Sequence, residues 1–236
     1  MKLNFTNERV LAVVAHPDDA ELLCAGTLAR AKQDGAAIAI CVLCNGDKGQ
    51  PSKPIKNLAA VRKKEMATAS KLLGAQLFFG GFPDATLSDG QTQRAKLVEI
   101  YRQFKPSLVL AHSAEDYHTD HRAASVLAEA ASWHCASRGH KSKSAPLAAP
   151  PSLWWMDTIN MSGFSPEFFV DISRCANLKH EMLACHESQL ARGKDGDFSP
   201  LSDLMHLQYR ARGMQSDVFA AEAFRMHHAF KRTRAW

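Results

Sequence analysis

Two short segments rich in histidine and aspartate carry side chains suited to metal and acid–base chemistry. The first is His16-Pro17-Asp18-Asp19-Ala20-Glu21, and the second is Asp116-Tyr117-His118-Thr119-Asp120-His121. Zinc in a catalytic site takes imidazole nitrogen and carboxylate oxygen from about three protein ligands and keeps one position for water. Together the two segments offer the ligand types of a hydrolytic zinc site.

The first segment has two readings when it is taken alone. His16 and Asp19 can supply two ligands from one tight turn, in which Pro17 restrains the backbone. Asp18 and Asp19 also suit the start of a helix, where carboxylates accept hydrogen bonds from free N–H groups. Helix capping is therefore as good an explanation as metal binding at this point, and Glu21 is expected to be an ordinary residue of the first helical turn.

The second segment adds histidines that can face the same side of a helix, because His118 and His121 are three residues apart. We predict that His121 is the third zinc ligand and that His118 stands beside the metal without binding it. Asp120 is placed to hydrogen-bond His118 and to stabilise its protonated form. A polar helix start with surface histidines is the alternative. Two such segments in one fold favour the metal.

The elements between these segments explain how they can meet. Short apolar runs rich in β-branched residues predict buried strands at Val10–Ala15, Ile38–Cys44 and Ser107–Ala111. Strands that alternate with helices indicate an α/β class, here a single-domain, Rossmann-like, mostly parallel sheet with helices on both faces. Ligands bind at the carboxyl ends of the strands in such sheets, so both segments should lie on one rim.

The remaining pattern extends this alternation along the chain, and no linker divides it, so we predict one domain over residues 1–236. Further strands are predicted at Gln76–Phe79, Leu153–Asp157 and Phe168–Asp171. Helices are predicted at Ala20–Gln33, Leu58–Leu73, Gln91–Phe104, His121–Ser132, Cys175–Leu190 and Leu201–Arg212. Ser137–Pro151 is rich in Ser, Lys, Ala and Pro and is expected to be a mobile surface loop.

Composition excludes several classes of protein. The 236 residues are 46% hydrophobic and 22% charged, which is ordinary for a globular protein. No apolar run is long enough to span a bilayer. The polar start Met1–Val10 lacks a secretory pattern, so a cytoplasmic location is expected. The net charge of +5 is not gathered into a dense basic stripe, so nucleic acid is not an expected partner.

Cys41 and Cys44 form a C-x-x-C pair inside the predicted second strand. Residues three apart on a strand point to opposite faces of the sheet. The two thiols therefore cannot share a metal or form a disulfide without breaking the strand, and we expect both to be core residues.

The motifs resemble those of the LmbE-like, or PIG-L, N-acetylglucosaminyl deacetylase family. Ala15-His16-Pro17-Asp18-Asp19-Ala20-Glu21 is similar to that family's first signature, and Asp116–His121 is similar to its second. The resemblance covers nearly the whole chain in the family's order. Other similar pieces are Arg62-Lys63-Lys64-Glu65, Gly81-Phe82-Pro83-Asp84, Asp171-Ile172-Ser173, His186-Glu187-Ser188-Gln189 and Ala221-Glu222-Ala223-Phe224.

The resemblance implies a zinc-dependent hydrolase that removes the N-acetyl group from a small N-acetylglucosamine-type molecule, releasing acetate and a free amine. It also implies a homo-oligomer. Other divalent metals suit such a ligand set as well. The implied roles are as follows: His16, Asp19 and His121 bind zinc, Asp18 is the general base, His118 is the acid or oxyanion partner, and Arg62 and Asp84 face the sugar.

Three other functions remain open at this stage. A zinc amidase acting on another amide, such as a thiol–sugar conjugate, would use the same site. A non-catalytic metal- or sugar-binding module would need neither Asp18 nor His118. A nucleotide-binding enzyme is disfavoured, because His16–Asp19 stands where such folds carry a glycine-rich turn. The family often has Thr or Ser where this chain has Cys44-Asn45-Gly46-Asp47, which leaves the substrate undetermined.

Overall fold

A seven-stranded sheet forms the centre of the computed structural model, which describes residues 4–192 and 200–230. The strands are β1 (Arg9–Val14), β2 (Ala37–Cys44), β3 (Gln76–Phe82), β4 (Leu108–Ala111), β5 (Ser152–Met156), β6 (Phe168–Asp171) and β7 (Ala221–Met226). Their order across the sheet is β3-β2-β1-β4-β5-β7-β6. The first five pair in parallel, and β7 lies antiparallel between β5 and β6. The predicted α/β class with a mostly parallel sheet is confirmed.

Helices connect these strands. They are α1 (Asp19–Leu23), α2 (Ala25–Gln33), α3 (Leu58–Leu73), α4 (Gln91–Phe104), α5 (Thr119–His134), α6 (Ala176–Ala184), α7 (Glu187–Leu190) and α8 (Leu201–Gln215), followed by a short 3-10 helix, His228–Phe230. Among residues 4–192 and 200–230, no helix is both long and apolar enough to cross a bilayer.

Two predicted helices are each divided in the structure. The helix predicted at Ala20–Gln33 breaks at Cys24, whose φ of −148° leaves the helical region. The second helix, α2, starts directly after Cys24 because the carboxylate of a residue distant in sequence caps its N-terminus. Glu222 on β7 accepts hydrogen bonds from the backbone N–H groups of Gly26 (3.0 Å) and Thr27 (2.7 Å). Cys175–Leu190 likewise divides into α6 and α7 around His186.

The sheet carries an apolar core on each face. Val10, Ala12 and Val14 of β1 pack on one side, whereas Leu11 and Val13 pack on the other, as the alternation of a strand requires. Both faces are therefore buried under helices, which explains why β1 is continuously apolar.

The order of the strands places a crevice beside β1. The chain goes from β1 to β2 on one side and returns to β4 on the other, so the connections diverge at the carboxyl end of β1. Ligands of open parallel sheets bind at such a point. The segment after β1 begins at Ala15 and the segment after β4 begins at His112, so this crevice is where the two motifs meet.

The loop between α5 and β5 is tied to α4, although its composition predicts a mobile segment. Glu99 accepts hydrogen bonds from the Ser142 hydroxyl and from the hydroxyl (2.7 Å) and backbone N–H (3.0 Å) of Ser144. The buried guanidinium of Arg102 donates to the carbonyl oxygens of Cys135 (3.0 Å) and Ser137 (2.8 Å). These contacts hold the first part of the loop against α4.

Glu99→Gln is expected to reduce the loss of stability in acid. The Ser142 hydroxyl and the other donors lower the pKa of Glu99 to about 2, against an ordinary value of 4.5. A group with a depressed pKa contributes stability above its unfolded pKa, and that contribution disappears as the pH falls toward the folded pKa. Denaturant unfolding of wild type and Glu99→Gln at pH 7 and pH 3 measures this difference, and Glu181→Gln is the control. If the free energy of unfolding changed equally with pH in wild type and Glu99→Gln, this role of Glu99 would be contradicted.

Candidate active site

The turn after β1 has an unusual backbone. Asp18 has φ 110°, a region that residues with a side chain rarely adopt. The turn is closed locally, because the N–H of His16 donates to Asp19 Oδ2 (2.7 Å) and the N–H of Leu22 donates to the carbonyl of Asp18 (3.1 Å). Strained residues of this kind persist where the surrounding structure holds them and cluster at functional sites.

The three predicted metal ligands lie together beyond the ends of β1 and β4. Asp19 Oδ2 is 3.5 Å from His16 Nδ1, and Asp19 Oδ1 is 3.3 Å from His121 Nε2. The rings of His16 and His121 have centroids 5.4 Å apart. His16 and His121 also form a compact ligand cluster with His118, in which the ligand atoms lie within 4.8 Å of one another.

Two further residues, His112 and Asp116, support this cluster, although neither was assigned a role from the sequence. Asp116 Oδ1 lies 3.1 Å from His121 Nδ1, so the opposite nitrogen, Nε2, faces Asp19. His112 is fully buried, with Nε2 3.2 Å from Asp19 Oδ2. A carboxylate that holds the far nitrogen of a metal-binding histidine fixes its tautomer and orientation. The position of Asp116 within the second motif was the available signal for its role.

The structure corrects the predicted partner of Asp120. Its carboxylate does not pair with His118; Oδ2 lies 3.0 Å from His16 Nε2 and accepts the N–H of Ala85 at 2.8 Å. The link to His118 is through the backbone, since the N–H of Asp120 donates to His118 Nδ1 (3.1 Å). His118 is the N-cap of α5, and this geometry turns its ring toward the backbone of the first turn.

The surroundings of His118 favour its neutral form, whereas the protonated form was predicted. Burial lowers its pKa, and the charges of His121 and His16 lower it further. Because Nδ1 accepts a hydrogen bond, the ring proton of the neutral imidazole is on Nε2. His118 can therefore donate one hydrogen bond to a ligand in the crevice.

Charge in the cluster fits a bound cation. Asp19, Asp116 and Asp120 are each no more than 3% exposed. Burial opposes a charge on His121, but Asp19 and Asp116 outweigh it and raise its pKa to about 9. Buried carboxylates need compensating positive charge, which protons on the imidazoles can provide. A divalent metal can replace these protons, so the donor types and charges fit a zinc-type ion.

Asp18, the predicted base, is held by Arg62. Arg62 Nη2 donates to Asp18 Oδ2 (2.9 Å) and to the carbonyl of Pro17, and Nη1 lies 3.4 Å from the carbonyl of Gly46. Burial raises the pKa of Asp18, and the guanidinium opposes this rise. Arg62, predicted to face the sugar, is only 3% exposed, and its contacts orient the Asp18 carboxylate.

Asp84 was also predicted to face the sugar, and its two oxygens are engaged within the protein. Oδ1 accepts the N–H of Gly46 (2.7 Å) and Oδ2 accepts the N–H of Lys48 (2.9 Å). Asp84 therefore shapes the loop after β2, on the wall of the crevice.

Glu21 is more than a first-turn residue, because its side chain is completely buried beside His186. Glu21 Oε1 lies 3.4 Å from His186 Nε2, and both residues are 0% exposed. This pair brings the start of α7 against α1, behind Asp18. The two residues are far apart in the chain, and a single sequence carries no signal for their contact.

A cavity of about 540 Å³ opens over these groups. His16, Asp18 and His118 lie in its wall with Asp19, Asp120 and His121. Arg62, Asp84, Lys48 and Arg192 add charged groups, and Leu22, Ile159, Leu201 and Leu204 add an apolar side. The volume suits a small ligand with both polar and apolar surface.

Comparison with known proteins gives related folds and several activities. The family model described as GlcNAc-PI de-N-acetylase (PIG-L) matches residues 11–132. The crystal structure of a conserved protein from Thermus thermophilus has 34% sequence identity and a TM-score of 0.78, with 92% of this chain and 93% of that chain covered.

Two curated relatives have different activities. Diacetylchitobiose deacetylase from Thermococcus kodakarensis is 28% identical over 77% of this chain and 70% of its own length. 4-Oxalmesaconate hydratase from Pseudomonas putida is 26% identical over 79% of this chain and 76% of its own length. The comparisons therefore include both a hydrolase and a hydratase.

Proposed function

Since the chain belongs to the PIG-L (LmbE-like) family, we propose that it is a metal-dependent hydrolase that removes the N-acetyl group from a small N-acetylated amino sugar. The observation that carries the proposal is the placement of Asp18 on the cavity wall beside His16, Asp19 and His121. A binding module needs a ligand cluster, whereas a hydrolase also needs a buried base of this kind.

His16, Asp19 and His121 are the residues that would hold the metal. When bound there, a divalent ion polarises a carbonyl group and lowers the pKa of water. Asp116 and Asp120 keep the two imidazoles oriented, with Asp116 against His121 and Asp120 against His16. Zinc fits this donor set, and other divalent ions can be exchanged into it.

Asp18 supplies the base. Its carboxylate accepts a proton from water as the water oxygen bonds to the acetyl carbon, and a base with a raised pKa suits this transfer near neutral pH. Arg62 fixes the direction of the carboxylate throughout. The C–N bond then breaks, and the nitrogen takes a proton from within the site, which yields acetate and a free amine.

His118 stabilises the negative charge on the carbonyl oxygen during this reaction. Its Nε2–H is directed by the hydrogen bond that Nδ1 accepts from Asp120 N–H. A donor placed where charge develops is worth about 3 kcal/mol when it is well aligned. The neutral imidazole suffices for this role.

The direct experiment is acetate release by the purified protein from a panel of N-acetylglucosamine, its oligomers and its glycosides, including thiol–sugar conjugates. Release from at least one amino sugar supports the proposal, and release only from another amide would indicate the amidase alternative. Metal-loaded protein that releases acetate from no substrate would contradict the deacetylase function.

A second candidate is a hydratase that adds water to an unsaturated carboxylic acid. The similarity to the hydratase from Pseudomonas putida and the basic side chains of Lys48 and Arg192 in the cavity wall favour it. Hydration of a conjugated acid also begins with a base that activates water. Loss of ultraviolet absorbance from a conjugated dicarboxylate, without acetate release from any amino sugar, would select this function.

Asp120→Asn is expected to weaken metal binding by about 10-fold and to lower activity in parallel, because the variant loses the carboxylate that orients His16. The metal dissociation constant, measured by competition with a chelator, checks this. Asp203→Asn is the matched control, since Asp203 lies in the first turn of α8 as Asp120 lies in that of α5. Wild-type affinity in Asp120→Asn would show that its contact with His16 is dispensable.

Arg62→Lys is expected to reduce kcat by on the order of 100-fold with little change in KM, since a misdirected base slows the chemical step more than binding. Lysine keeps the charge but cannot reach Asp18 and Pro17 together. Steady-state kinetics measure the effect, with Lys64→Arg on the exposed side of α3 as the control. A rise in KM alone would instead place Arg62 against the substrate.

The homo-oligomer implied by the family resemblance stays a prediction. Light scattering of the purified protein tests it.

A further inference from the structure

The two nitrogens of the His16 ring have different neighbours. Nδ1 lies 3.5 Å from Asp19 Oδ2, on the side of the catalytic cluster. Nε2 lies 3.0 Å from Asp120 Oδ2. Cys44 Sγ also lies within 4.8 Å of a ring nitrogen of His16. His16 therefore belongs to two groups of potential ligands at once.

The second group is as compact as a metal site. One ligand atom from each of His16, Cys44 and Asp120 lies within 4.8 Å of the others. None of the three residues is more than 8% exposed. Bonds of about 2.3 Å to sulfur and about 2.0 Å to nitrogen or oxygen place ligand atoms on one ion roughly 3 to 4 Å apart. Small side-chain shifts would thus complete the site.

The position of Cys44 is fixed by the sheet. It is the last residue of β2, and its N–H donates to the carbonyl of Ala15 (2.8 Å). Cys41, in contrast, packs in the apolar core on one face of the sheet. Cys41 is thus a core residue as predicted, whereas Cys44, which is equally buried, lies beside His16.

We propose that Cys44, His16 and Asp120 form a second cation site, selective for thiophilic ions such as Cd²⁺ or Cu⁺. Sulfur ligands favour such ions, and the cluster of His16, Asp19 and His121 offers only nitrogen and oxygen. The ion enters from the cavity, which His16 and Asp120 line. Binding releases the thiol proton of Cys44 and the proton on His16 Nε2 to solvent.

This site competes with the catalytic cluster because both use His16. An ion bound to Cys44 and Asp120 removes Asp120 as the acceptor for His16 and draws the ring away from Asp19. Thiophilic ions therefore inhibit the protein by taking His16 away from the catalytic metal, and they do not compete with the substrate for its pocket. The second site depends on the positions of these three ligands and not on which reaction the cavity performs.

Cadmium titrated into the metal-free protein tests the site, because a cadmium–thiolate bond has an ultraviolet charge-transfer band. Wild type is expected to show this band, saturating with one thiolate per chain, and Cys44→Ser is expected to bind cadmium without it. Cys185→Ser is the control, since Cys185 is partly exposed whereas the other five cysteines are buried. An undiminished band in Cys44→Ser, or no band in wild type, would overturn the proposal.

Two more measurements separate this inference from the proposed catalytic ligands. His121→Gln should keep the band, because His121 belongs only to the catalytic cluster, and loss of the band from the folded variant would overturn the proposal. X-ray absorption at the cadmium edge of the wild-type protein should show a sulfur neighbour even if Cys44→Ser does not fold. A shell of nitrogen and oxygen alone would contradict the site.

Discussion

Asp18→Asn is expected to lower kcat for acetate release by about 100- to 10,000-fold, the usual contribution of a general base. The amide has nearly the same size as the carboxylate and can still accept from Arg62, which lies 2.9 Å from Asp18 Oδ2. It cannot take a proton from water. Metal content should stay at the wild-type level, since Asp18 is not among the proposed ligands.

The control for Asp18→Asn is Asp89→Asn, an exposed aspartate that pairs with Arg94 at 2.6 Å. It should have wild-type kcat. Turnover of Asp18→Asn within a few-fold of wild type would remove Asp18 from the role of base. Loss of metal from Asp18→Asn would mean that Asp18 binds the ion or holds its ligands.

His121→Ala is expected to lower metal occupancy well below one ion per chain and to abolish measurable activity. The change removes one of three proposed ligands, and it leaves Asp19 and Asp116 without the imidazole that lies 3.3 and 3.1 Å from them. Unpaired buried carboxylates destabilise a fold by about 3 to 5 kcal/mol. Elemental analysis and thermal unfolding together measure the two effects.

His121→Gln keeps a polar group in place of the ring and is therefore less prone to unfold. Metal loss from this folded variant can be attributed to the loss of the imidazole ligand. His180→Ala is the control, because His180 hydrogen-bonds Tyr209 (2.9 Å) away from the cavity. Full metal occupancy in a folded His121→Gln protein would show that His121 is not a metal ligand.

Local sequence was sufficient to predict the sheet and to bring the candidate site residues to one rim of it. The apolar runs of β1, β2 and β4 have few other possible structures, and the parallel order brings whatever follows β1 and β4 to one crevice. His121 could be proposed as a neighbour of His16 and Asp19 on that basis, although it lies far from both in the chain. The family motifs then supplied roles that the residue types alone left open.

Contacts between distant elements could not be predicted in this way. Asp120 is two residues from His118, which suggested a side-chain pair, but the N-cap geometry of His118 uses the backbone N–H and frees the carboxylate for His16. The break at Cys24 depends on Glu222, near the other end of the chain. The burial of Glu21 depends on His186. Each of these outcomes is decided by packing between elements that are remote in sequence.

Arg62 shows the same limit for a motif residue. The resemblance indicated a residue near the substrate, and the structure places its guanidinium on Asp18 and Pro17, with 3% of the residue exposed. A motif identifies a residue that the site needs, whereas contacts decide whether it touches the substrate or another side chain.

The most direct test of the proposed function is acetate release measured during removal and return of the metal. Chelation of the purified protein should abolish release from an N-acetylated amino sugar, and about one equivalent of zinc per chain should restore it, as expected for a single catalytic ion. Release that persists in protein shown to be metal-free would contradict a metal-dependent deacetylase. So would protein that holds one ion per chain and releases acetate from none of these sugars.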